Sequence, residues 1–80
     1  MQQIDFPLDP GRDFVELNQL LKLVGLADSG GMGKQLVASG AVCVDGETEL
    51  RKTAKIRAGQ RVELGDAIIR VTAAADGAPT

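Results

Sequence analysis

Apolar side chains recur at helical spacing in the first half of this chain, and beyond Gly40 the repeat shortens to two. Phe14, Leu17, Leu20, Leu21 and Val24 recur at helical spacing, which predicts a helix over about 14–24. Asp13 and Glu16 have the spacing of a capping box at its start, and Gly25 is placed to end it. Asn18 and Lys22, four apart, fall together on its polar side. Ser29 is placed to cap a second helix over about 31–39, with Met32, Leu36 and Val37 on its apolar face and Lys34 pointing away from it. Gly33 inside that helix costs about 1 kcal/mol of helix propensity relative to Ala, but allows another backbone to approach closely.

Past Gly40, Val42 and Val44 point to one side of a strand, and Asp45-Gly46 signals a hairpin. A two-residue loop sets Val44 against Glu47 and Val42 against Glu49. One residue more sets them against Thr48 and Leu50, a better match for a half-buried sheet, so a longer turn with Gly46 at positive φ is predicted. Strands follow over about 61–64 and 67–72, around Gly65-Asp66, and Gln2 to Phe6 reads as a short edge strand. The fold class is therefore α+β: two short N-terminal helices packed on a small sheet of short, mostly antiparallel strands. Leu17, Leu20, Leu21, Leu36, Val37, Val42 and Val44 are its candidate core. Eighty residues make one domain, with a flexible tail expected over 73–80.

Missing residue types narrow the chemistry. The chain has no His, Trp or Tyr, one Cys (Cys43), and two aromatic side chains, Phe6 and Phe14. The commonest acid–base residue and the usual nitrogen ligand for metals are thus absent, and one Cys builds no zinc site. Ser29-Gly30-Gly31-Met32-Gly33-Lys34 invites a phosphate-loop reading, but Asp28 stands where the first glycine belongs and Gln35 where a hydroxyl is required. Asp45, Glu47 and Glu49 read as a solvated strand face, and Cys43 as a strand residue with no base to activate it. A non-enzymatic protein with no cofactor and no metal is expected. With no apolar run near ~18 residues and no targeting segment, it is expected to work in the cytoplasm, away from membranes.

Net charge is −2, but its distribution is lopsided. Residues 1–50 carry three basic side chains against eight acidic, and residues 51–80 carry six against three. Arg51, Lys52, Lys55, Arg57 and Arg61 occupy eleven positions with no acid among them. Salt screens charges beyond ~8 Å, so a phosphate at this segment responds to the local cluster and not to the molecular total. Arg and Lys with neither aromatics nor a long helix favour contact with the phosphates and shape of folded RNA over stacking on bases.

The order of residues also resembles a known family. Leu20-Leu21, Gly25-Leu26-Ala27, Ser29, Lys34-Gln35-Leu36-Val37, Gly40, Val42-Cys43-Val44-Asp45-Gly46 and Lys55-Ile56-Arg57-Ala58-Gly59 are similar to the RNA-binding domain named after small-subunit ribosomal protein S-four. In that domain two helices and a hairpin form the αL motif. Leu17 to Lys22, Ser29-Gly30-Gly31 and Glu49-Leu50-Arg51-Lys52 look more like the small stand-alone YbcJ-type members. Gly30, Ala38 and Glu16 stand where basic residues are frequent in the family. The resemblance, with a core over 13–64, implies a monomeric module for structured RNA, ribosomal or other, with ribosomal or RNA-processing proteins as further partners. Lys34, Arg51, Lys52, Lys55 and Arg57 would contact phosphates, with Asn18 and Lys22 in support. The rival reading is a protein-interaction module that uses the acidic turn from Asp45 to Glu49.

Overall fold

The structure, a computed structural model, describes residues 2–73, so the predicted tail lies almost wholly outside the described residues. Two helices, α1 (Leu17–Leu23) and α2 (Gly30–Ala38), are preceded by strands β1 (Gln2–Pro7) and β2 (Phe14–Glu16). They are followed by β3 (Val42–Val44), β4 (Glu47–Thr48), β5 (Lys55–Arg57), β6 (Arg61–Leu64) and β7 (Ala67–Thr72). The helices are therefore not the first elements of the chain. Strands β1-β7-β6-β3-β4 form one sheet in that order, and β2 and β5 form a two-stranded ribbon. β1 is an edge strand, as its alternation implied, but it runs parallel to β7, which makes the sheet mixed.

One face of the sheet holds the core. Val42, Val62, Ile69 and Val71 point inward and meet Leu17, Leu20 and Leu21 of α1, Val37 of α2 and Ile56 of the ribbon, all at most 2% exposed. Leu36 and Val44 pack against this cluster half-buried. Burying apolar area stabilises by roughly 25 cal/mol per Å², so these few side chains hold the helix pair on the sheet. The other face of β7 and β1 presents Gln3, Asp5, Arg70 and Thr72 to solvent.

Three expectations are corrected by the structure. The first helix begins at Leu17, not near residue 14, because Phe14, Val15 and Glu16 pair antiparallel with Arg57, Ile56 and Lys55. The Asp13–Glu16 capping box is accordingly not made: Glu16 is itself the N-cap residue and its side chain makes no cap bond. The hairpin is the tight one. Val44 pairs with Glu47 and Cys43 with Thr48, across a two-residue loop in which Asp45 (φ 51°) and Gly46 (φ 88°) are both left-handed. That geometry matches the right-handed twist of the flanking strands, which a longer loop would forgo. The charged partner is tolerated because β4 is a two-residue edge strand whose side chains face solvent.

The second helix matches its sequence reading within one residue. Ser29 Oγ accepts a hydrogen bond from the Met32 backbone N–H at 3.1 Å, as an N-cap side chain should. Gly33 is buried against α1: a Cβ there would lie 2.5 Å from the Asn18 carbonyl oxygen. The close approach of the two helices depends on that missing side chain.

Candidate nucleic-acid interface

The basic segment is tied to the helices through backbone. The first N–H groups of an α-helix have no partner within it. In α1 the Leu17 N–H donates to the Ala54 carbonyl at 2.9 Å, and the Asn18 N–H to the Lys52 carbonyl at 3.1 Å. The loop between β4 and β5 thus supplies the cap that no side chain provides. Ala54 and Ile56 are buried, while Arg51, Lys52, Lys55 and Arg57 are exposed. Apolar anchors alternate with cations, so the loop is held down while its charges stand in solvent.

Asn18 is where three elements meet. Its N–H donates to the Lys52 carbonyl, and its own carbonyl faces Gly33, the neighbour of Lys34 on α2. Lys34 is exposed, as is Lys22 in the last turn of α1, where a cation opposes the negative end of the helix dipole. Asn18 itself is a correction. It was placed on the polar side of α1 beside Lys22, yet it is 2% exposed, because α2 closes over it at Gly33. Among the described residues its Oδ1 has no hydrogen-bond partner. Asn18 therefore stands behind the surface formed by Lys34 and the loop.

Acids fold back onto the segment that is free of acid in sequence. Glu49 takes Arg51 as a fork: Arg51 Nε donates to Oε2 at 3.0 Å, Nη2 to Oε1 at 3.1 Å, and the Arg51 backbone N–H to Oε2 at 3.0 Å. The hydrogen-bonded guanidinium holds the Glu49 carboxyl below its ordinary pKa, against the opposing effect of burial, and Glu49 raises that of Arg51. At the other end Asp45 Oδ1 accepts from the Arg61 N–H at 2.9 Å and its Oδ2 from Gln60 Nε2 at 3.4 Å. Gln60 Oε1 in turn accepts from the Arg57 N–H at 2.7 Å. These contacts tie down the start of the loop and the turn between β5 and β6, and they were invisible in a charge count along the chain.

One aromatic side chain lies among these cations. Phe14 is a strand residue and not the helical one its spacing predicts; it stands across the ribbon from Arg57, with Lys55 Nζ 5.0 Å and Arg57 Cζ 5.8 Å from its ring centroid. Cation–π attraction of this kind is worth ~0.5–1 kcal/mol at exposed sites, enough to bias where the two cations dwell. The only local signal was the alternation Phe14, Val15, Glu16, too short to oppose the helical repeat that follows it.

The exposed candidate cations are thus Lys34 on α2 and Lys52, Lys55 and Arg57 on the loop and ribbon, with Arg51 paired to Glu49. The chain as a whole has counterparts among known proteins. The family model for the S4 domain matches residues 8–72. YbcJ of Escherichia coli strain K12, a candidate RNA-binding protein by its name, is 48% identical over 59 residues, which are 74% of this chain and 84% of that one. YbcJ of Shigella flexneri, an uncharacterised protein, matches to the same extent. The solution structure of YbcJ from E. coli, described as revealing an αL motif involved in RNA binding, superposes with a TM-score of 0.68. It is 40% identical, and the match covers 90% of each chain.

Proposed function

The chain belongs to the S4 domain family, and from that premise we propose that it is a non-catalytic module that binds structured RNA through phosphates. Ribosomal RNA is the proposed target, and the protein acts as a monomer in the cytoplasm. Lys34, Lys52, Lys55 and Arg57 contact phosphates directly. Arg51 joins them when a phosphate displaces Glu49, and Lys22 lies at the margin. The observation that carries this reading is the capping of α1 by the Lys52 and Ala54 carbonyls. It fixes the loop cations relative to α2, so that the protein can distinguish an arrangement of phosphates from bare negative charge.

The rival reading, a protein contact through the acidic turn, loses two of its three acids. Asp45 is engaged with Gln60 and Arg61, and Glu49 with Arg51, which leaves Glu47. Fluorescence anisotropy with a structured ribosomal RNA fragment, and with a DNA duplex of equal length, tests the proposal. Neutralising four to six phosphates should give log affinity against log salt a slope of roughly −3 to −5, with RNA preferred. Equal binding of RNA and DNA would remove the shape-selective part of the proposal, and no binding at low salt would remove the whole.

A further inference from the structure

β2 and β5 present their side chains alternately to two faces. Val15 and buried Ile56 point inward, and Phe14, Glu16, Lys55 and Arg57 share the outward face. Phe14 is half-buried, and beside it opens a groove of about 500 Å³. Phe6 and Leu23 wall this groove, and Asp9, Arg12, Glu16 and Gln19 edge it. Leu23 is 60% exposed, an apolar side chain left open to solvent at the rim.

We propose that Phe14 and this groove receive one unpaired nucleobase of the bound RNA, a contact that rests on the RNA-binding reading above. A nucleobase arrives with phosphates on both sides of it, and Lys55 and Arg57 are placed within 6 Å of the ring to meet them. Those phosphates draw the two cations off the ring and leave its face to the base. An apolar or aromatic peptide side chain seated on Phe14 would bring no such charge of its own. The volume lies within the ~300–1,000 Å³ usual for small-molecule sites, and the lining mixes apolar with polar side chains, as a heterocyclic base with polar edges requires. The polar edge gives direction: the Gln19 amide can donate and accept, while the Glu16 carboxylate accepts from an exocyclic amine and repels a carbonyl. A base carrying an exocyclic amine (adenine, cytosine or guanine) is thereby favoured over uracil. Two Phe residues do not make a platform for a run of bases, but one placed among cations makes a seat for a single base.

RNA hairpins carrying 2-aminopurine at each loop position in turn test this. Stacking is read as quenching, and binding is read separately by anisotropy from a terminal dye. The wild-type protein should quench one position. Phe14→Leu should abolish the quenching and weaken binding about 5- to 100-fold, the loss typical of one base–aromatic stack. Leu23→Gln, a neutral change at an exposed rim position, should reduce the same signal with the melting temperature little changed. Lys55→Ala should weaken binding yet keep the quenching at saturation. Tight RNA binding with no quenched position, or quenching that survives Phe14→Leu, would overturn the base contact and leave the phosphate reading intact. Absence of RNA binding by the wild-type protein would overturn both.

Discussion

Replacing Gly33 by Ala sets two effects against each other, and the structure says which wins. Ala is favoured over Gly inside a helix by ~1 kcal/mol, so propensity alone predicts a more stable protein. The new Cβ, however, would lie 2.5 Å from the Asn18 carbonyl oxygen and 3.2 Å from the Asn18 carbonyl carbon and Cα. These are backbone atoms of α1 and cannot swing aside as a side-chain tip could. Overpacking of this kind costs ~1–3 kcal/mol, so Gly33→Ala should be destabilising by about 1 kcal/mol net. In a domain of this size that lowers the melting temperature by ~4–8 °C. Gly31→Ala in the same helix is the control, because its Cβ would meet only Ser29 Oγ at 3.7 Å, an ordinary contact. That variant should gain a few tenths to ~1 kcal/mol. Paired urea and thermal melts of the two proteins decide the matter. If Gly33→Ala is stabilised as much as Gly31→Ala, the close packing of α1 on α2 is not what requires glycine there.

Other consequences concern the loop and its anchors. Glu49→Gln should leave Arg51 free and increase RNA affinity, which anisotropy at fixed salt would read. The Glu49 carboxyl is held below its ordinary pKa, so its contribution to folding is complete above the unfolded value and is lost as pH falls through the lowered one. The stability difference between wild type and Glu49→Gln should therefore be flat near neutrality and close on acidification, in urea melts taken across pH. Asp45→Ala removes the acceptor of the Arg61 N–H and puts Ala at φ 51°; it should cost ~1–2 kcal/mol, visible as a lower urea midpoint with unchanged slope.

What could be read along the chain was local, and what could not was set by distant partners. Ser29 announced its cap because the acceptor and the Met32 N–H it serves are three residues apart. Gly65-Asp66 joins adjacent strands, so its turn was equally legible, with Leu64 opposite Ala67. The start of α1 was misread because Phe14 to Glu16 take their conformation from Lys55 to Arg57, about forty residues away. The same distance hid the cap, since the carbonyls of Lys52 and Ala54 replace the side chains that a local motif would need. The hairpin register was misjudged by weighing cross-strand pairs above turn chemistry, although β4 is too short for its pairs to decide. Most of the cations of the site were legible, because clustered charge needs no tertiary knowledge. Their partners Glu49 and Phe14, and the burial of Asn18, required the fold.

Amide chemical shifts of isotope-labelled protein, followed through a titration with a structured RNA at low salt, test the central claim most directly. The account predicts perturbations gathered at Lys34, Lys52, Lys55 and Arg57 and at the amides of Leu17 and Asn18 that the loop caps, with Gln3, Arg70 and Thr72 on the open sheet face unmoved. Perturbations centred on that sheet face, with the loop and α2 silent, would contradict it.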